Sequence, residues 1–203
     1  MLKYLPNIIS FARVILSPVF FVLIISGEPA DISAACVIYG IAAISDYFDG
    51  FLARKFNIIS SVGKFLDPLA DKFLTGASFI AFVVMGLVPL WMVIVVLARD
   101  FGTTLLRVYA DSISKPIATS WSAKVKTFIQ MTFIFYLLIL ILLSQPTFVA
   151  GVSAFASELL ISEITYYIML ALTLFTVWTA IEYVYRNKAL FSSVKLYGKG
   201  KSA

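Results

Sequence analysis

The stretch Ser45–Phe73, SDYFDGFLARKFNIISSVGKFLDPLADKF, sets four aspartates around Arg54 in the middle of an otherwise apolar chain. They are Asp46, Asp49, Asp67 and Asp71. So much charge in such a chain depends on what surrounds it and what compensates it.

What surrounds it is lipid. Hydrophobic residues make up 61% of the 203-residue chain, against roughly 45–50% in a soluble domain. The mean hydropathy is +0.98. A core of this size cannot bury that excess, so the chain reads as an all-α integral membrane protein. It has no histidine, which excludes His-based nucleophile, general-base and metal-ligand schemes. The single Cys36 provides no disulfide framework. Catalysis here would have to run on carboxylates, Lys/Arg, hydroxyls and metal ions.

Apolar runs of about 20 residues, the length that crosses the hydrocarbon, are expected at 8–26, 31–53, 65–86, 88–110, 121–143 and 162–185. Six transmembrane helices put both termini on one side. MLKYLPNIIS reads as a short N-terminal interfacial segment, with Pro6 and Asn7 as a helix-start signal, and carries no secretory-signal pattern. All 16 Lys/Arg fall at the N-terminus, near the 53–65 and 107–124 connections, or in the tail. The opposite connections carry only Glu28, Asp31, Glu158 and Glu163 as charges. This bias predicts cytoplasmic termini and a cytoplasmic Asp-rich stretch in a multi-pass cell (inner/plasma) membrane protein. The basic tail, about 186–203, is expected on anionic headgroups. No repeat or soluble domain interrupts the chain, so residues 1–203 read as one membrane domain.

Asp46 and Asp49 are i, i+3 near the end of the second span, and Asp67 and Asp71 are i, i+4 near the start of the third. Each pair shares a helix face, and the short connection KFNIISSVG makes the two helices antiparallel neighbours. Pro68 is expected in the first turn of its helix, where its missing N–H does no harm. Four clustered carboxylates need protonation, basic partners or cations. Lys64 and Lys72 are expected at the headgroup boundary. Two divalent ions would balance the four charges, and an all-oxygen donor set suits Mg²⁺ or Mn²⁺ rather than zinc. Two such ions about 3.5–4 Å apart clamp a phosphoryl group, with Arg54 placed to hold a phosphate. An ion-paired hairpin and a divalent cation transporter remain open on this chemistry alone.

The spacing Asp46-x2-Asp49-Gly50-x2-Ala53-Arg54-x8-Gly63-x3-Asp67-x3-Asp71 resembles the signature of the CDP-alcohol phosphotransferases, six-helix membrane enzymes, at all eight fixed positions. The resemblance implies that Asp46, Asp49, Asp67 and Asp71 hold two divalent ions, with Asp71 also the catalytic base. It implies that Asn7, Asp49, Gly50, Ala53, Arg54 and Gly63 seat the CDP moiety, and that the protein is a homodimer.

LPNIISFARVILSPVF, GKFLDPLADK, ARDFGTTLLR and SWSAKVKTFIQM resemble the branch of the family that forms phosphatidylglycerol phosphate, over about residues 4–135. Asp100 stands where Glu is usual there, and Ala123 where Gly is usual. The branch implies transfer of a phosphatidyl group from CDP-diacylglycerol to glycerol-3-phosphate, with CMP leaving. Inositol phosphate, or phosphatidylglycerol as in cardiolipin synthesis, are the alternative acceptors. Glycerol-3-phosphate is a small dianion, and Arg99, Arg107, Lys124 and Lys126 cluster at the fourth-to-fifth connection as its expected binding residues. Lys124 and Lys126 are two apart and cannot share a helix face, so one is expected at the substrate and the other at lipid headgroups.

Overall fold

Where lipid replaces water, each backbone N–H must find its acceptor within its own segment, and long apolar runs therefore fold as helices. The computed structural model describes the backbone of residues 5–56, 61–112 and 120–187, and their side chains except at 5–10, 46–56, 61–69, 71 and 112. Among these residues there are seven helices and no strand. They are α1 (Leu5–Ile25), α2 (Pro29–Phe56), α3 (Ser61–Val84), α4 (Leu90–Ser112), α5 (Trp121–Leu143), α6 (Ala150–Leu160) and α7 (Glu163–Arg186). Of these, α5 and α7 are long and apolar enough to cross a membrane.

The six expected spans correspond to the six long helices, with three differences. First, α1 runs unbroken from Leu5, so residues 5–10 are its opening turns and not a separate interfacial segment. Pro6 falls in the first turn, where a missing N–H breaks no hydrogen bond. Second, α3 begins at Ser61, which makes Pro68 an interior residue. It has no N–H to give the carbonyl four residues back. Third, α6 occupies a stretch expected as loop.

Short turns hold the long helices side by side. Gly86, at φ 74°, ends α3. Its N–H donates to the Val83 carbonyl at 3.0 Å and the Leu87 N–H to that of Phe82 at 2.9 Å, the paired bonds of a Schellman cap. Gly27, at φ 80°, follows α1. The side chain of Ser120 caps α5 by accepting from the Ala123 N–H at 3.2 Å, and Ser162 caps α7 through Thr165.

The core lies between the helices. α1 packs against both α2 and α3, α4 against α3 and α7, and α5 against α2, α6 and α7. Phe20 and Tyr39 meet at a ring separation of 5.4 Å, and Phe79 stacks on Phe133 at 6.4 Å. The Tyr136 hydroxyl bonds Thr165 Oγ1 at 2.8 Å, joining α5 to α7. Large apolar side chains also face outward along the bundle, among them Ile44, Ile80, Ile94, Ile139 and Leu174. Lipid covers such a surface without penalty; water does not.

Polar side chains gather where the second half of α4, the last turns of α7 and the first turns of α5 meet. The 57–60 link joins α2 to α3. Seven positions separate Asp49 from the end of α2, and six separate Asp67 from the start of α3. Asp46 and Asp71 each stand ten positions from those ends. At 1.5 Å per residue, Asp49 and Asp67 are both about 10 Å along their helices from the link, and Asp46 and Asp71 about 15 Å.

Candidate functional site

A cavity of about 330 Å³ opens at the polar end, and helical spacing explains its walls. Arg99, Thr103 and Arg107 recur every four residues and form one stripe of α4. Ser120, Ala123, Lys124 and Thr127 supply the α5 wall, Tyr183 the α7 wall and Lys72 the α3 wall. Four cationic side chains thus line the cavity, and among the described residues no carboxylate does.

Behind the wall stands Asp100, at 1% exposure. Its Oδ1 accepts from Lys126 Nζ at 2.5 Å and Arg99 Nη1 at 3.2 Å, and Lys72 Nζ lies 3.8 Å from Oδ2. Lys126 also donates to Gln130 Oε1. One carboxylate therefore fixes three cations, and the cluster keeps an excess of positive charge. Three buried donors around the cavity have no hydrogen-bond partner among the described residues: Arg99 Nε, Arg107 Nε and the Tyr183 hydroxyl. Buried polar groups are almost always paired. Unpartnered donors beside surplus cations fit a small, oxygen-rich anion.

Between α5 and α7, the buried Ser122 hydroxyl bonds both Ser120 and the Glu182 carboxylate. Glu182 in turn pairs with Arg186 at 2.8 Å. This chain ties the end of α7 to the start of α5 and sets Tyr183 against the cavity. A second, apolar cleft of about 480 Å³ runs between α1, α3 and α4, lined by Pro18, Phe21, Phe73, Ile80, Leu97 and Phe101 among others. Lys72 lines both spaces.

The structure brings Arg99, Arg107 and Lys124 together around one cavity. Lys126 is elsewhere: at 1% exposure its ammonium is committed to Asp100 and Gln130 and does not line the cavity. Of the two lysines Lys124 faces the cavity, and Lys126 points into the bundle and not to headgroups. Lys72 also departs from expectation. It turns inward to Asp100, because α3 presents it toward α4. The side chains of Asp46, Asp49, Asp67 and Asp71, and of Asn7, Gly50, Ala53, Arg54 and Gly63, lie outside the described residues. Among the described residues no group of three or more His, Cys, Asp or Glu could hold a metal. Sequence reasoning missed Tyr183 and the clamp of Asp100 on Lys126. The available signal for Tyr183 was TAIEYVYR, 179–186, a polar run ending an apolar span.

The family described as CDP-alcohol phosphatidyltransferase matches residues 3–178. The chain is 38% identical over 139 residues to the CDP-diacylglycerol–glycerol-3-phosphate 3-phosphatidyltransferase of Bacillus subtilis (strain 168), covering 63% of this chain and 72% of that one. A probable phosphatidylglycerophosphate synthase of Mycobacterium tuberculosis (strain ATCC 25618 / H37Rv) is 37% identical over 164 residues, 79% of this chain and 77% of its own. The Rickettsia bellii (strain RML369-C) CDP-diacylglycerol–glycerol-3-phosphate 3-phosphatidyltransferase is 34% identical over 172 residues, 85% and 90% of the two chains. With a family match spanning most of its length, the chain belongs to the CDP-alcohol phosphatidyltransferase family.

Proposed function

We propose that the chain transfers the phosphatidyl group of CDP-diacylglycerol to glycerol-3-phosphate, forming phosphatidylglycerol phosphate and CMP. The observation that carries this reading is the cavity: among the described residues it has four cationic side chains, no carboxylate, and three buried donors without partners. Relatives whose names state this reaction, at 34–38% identity, support the choice of acceptor. In this reading the six long helices all cross the cell (inner/plasma) membrane, with both termini and the cavity cytoplasmic, and the protein is a homodimer. The one-sided distribution of Lys/Arg supports the orientation.

The donor's tails remain in hydrocarbon, and the apolar cleft that shares Lys72 with the cavity would take one of them. Asp46, Asp49, Asp67 and Asp71 would hold two divalent cations, Mg²⁺ or Mn²⁺. Their oxygen-only donor set fits hard cations, and each pair stands about one turn apart on its own helix. When bound, the ions supply positive charge to the pyrophosphate. Asn7, Asp49, Gly50, Ala53, Arg54 and Gly63 seat the CDP moiety. Arg99, Arg107 and Lys124 hold the acceptor phosphate, while Lys126 acts at one remove by fixing Asp100, which fixes Arg99 and Lys72.

Asp71 takes the proton from the acceptor's primary hydroxyl. Its neighbour Lys72 lines the cavity, which puts this turn of α3 at the cavity's edge. The freed oxygen attacks the phosphorus bearing diacylglycerol, and the bond to CMP breaks. The test is an acceptor screen. Purified chain in lipid nanodiscs receives CDP-diacylglycerol with glycerol-3-phosphate, inositol phosphate, phosphatidylglycerol or serine, and products are read by mass spectrometry. Phosphatidylglycerol phosphate is expected. Turnover with inositol phosphate and none with glycerol-3-phosphate would overturn the assignment.

A further inference from the structure

Tyr183 stands apart from the rest of the cavity wall. It comes from α7, beyond residue 178 where the family match ends, and it is the wall's aromatic residue. At 6% exposure its hydroxyl is buried, and it has no hydrogen-bond partner among the described residues. A phenylalanine would fill the same space without a stranded O–H, whose burial is unfavourable. The charged groups acting on it are Arg107, Arg99 and Asp111, and none of them hydrogen-bonds the hydroxyl.

Asn187 Nδ2 donates to the Tyr183 carbonyl at 2.8 Å, and the neighbouring Glu182 is bound to Ser122 of α5, which anchors this turn of α7 at the cavity. The hydroxyl shares the cavity wall with two guanidinium groups, each with an Nε that has no partner among the described residues. Guanidinium groups donate and never accept. An anion with several acceptor oxygens satisfies all three donors and balances the four cations of the wall.

We infer that Tyr183 is a specificity-determining residue whose hydroxyl donates to the phosphate of the acceptor, completing a three-donor set with Arg99 and Arg107. This rests on the acceptor reading above and deepens it: the site selects phosphate monoesters over unphosphorylated alcohols. Selection of the acceptor thus adds to Arg99 and Arg107, inside the family match, a residue from the last turns of α7 beyond residue 178.

The experiment compares the full chain with Tyr183→Phe in nanodiscs. A lost hydrogen bond to a charged group corresponds to about a 10- to 100-fold effect. The KM for glycerol-3-phosphate should rise by that order, with the KM for CDP-diacylglycerol unchanged within about twofold. Thermal protection of the chain by inorganic phosphate, measured without any lipid donor, should weaken in parallel. Unaltered KM and unaltered phosphate protection would overturn the inference, as would equal rises for both substrates. Should the unaltered chain make no phosphatidylglycerol phosphate, the function reading fails alone. The phosphate-protection arm still decides the role of Tyr183.

Discussion

At 1% exposure, the Asp100 carboxylate stands 2.5, 3.2 and 3.8 Å from Lys126, Arg99 and Lys72. Removing one partner of a buried ion pair leaves an uncompensated charge, at a cost of about 3–5 kcal/mol. Asp100→Asn should therefore lower the melting temperature in calorimetry and raise the KM for glycerol-3-phosphate, because Arg99 and Lys72 lose their anchor. Asp100→Leu combined with Lys126→Met should recover most of the stability and none of the affinity. Buried pairs are often replaceable by apolar side chains. Lys126→Ala should cost more stability than Lys124→Ala, whose effect should appear mainly in acceptor affinity. That the two lysines face different ways was readable from their spacing. Which one turns inward was not, because the answer lies with Asp100, 26 residues away on another helix.

Among the elements, the α3–α4 connection gives the cleanest test. An added Cβ at Gly86 meets nothing within 4 Å, so only the backbone conformation resists substitution. Gly86→Ala should destabilise by about 1 kcal/mol, the usual penalty for a left-handed residue. Gly40, also in open space but inside α2, should become up to about 1 kcal/mol more stable as Ala. Thermal unfolding of both variants reads the contrast. Long helices were legible because lipid crossing imposes a minimum apolar length, and α5 coincides with its expected span, 121–143. Their polar extensions were not. α2 continues to Phe56 and α3 starts at Ser61, because helical hydrogen bonding carries on past the apolar stretch. α6 was hidden because its eleven residues are too few to cross lipid. The aspartate spacing was legible at once, since i, i+3 and i, i+4 intervals mean a shared face on any helix.

For the molecule as a whole, function follows from where charge is allowed. Apolar side chains cover the outward faces, and the polar residues of α4, α5 and α7 meet at one end around the cavity. Asp67 and Asp71 share helix α3 with Lys72, which lines that cavity. In the proposed reaction this neighbourhood holds a lipid pyrophosphate and a small phosphate together. The most direct measurement is phosphatidylglycerol phosphate formed by purified chain in buffer stripped of divalent cations, and again after Mg²⁺ is returned. No product in the stripped buffer, recovery with Mg²⁺, and no recovery in Asp46→Asn are the expected results. Full turnover without divalent cations would contradict the account.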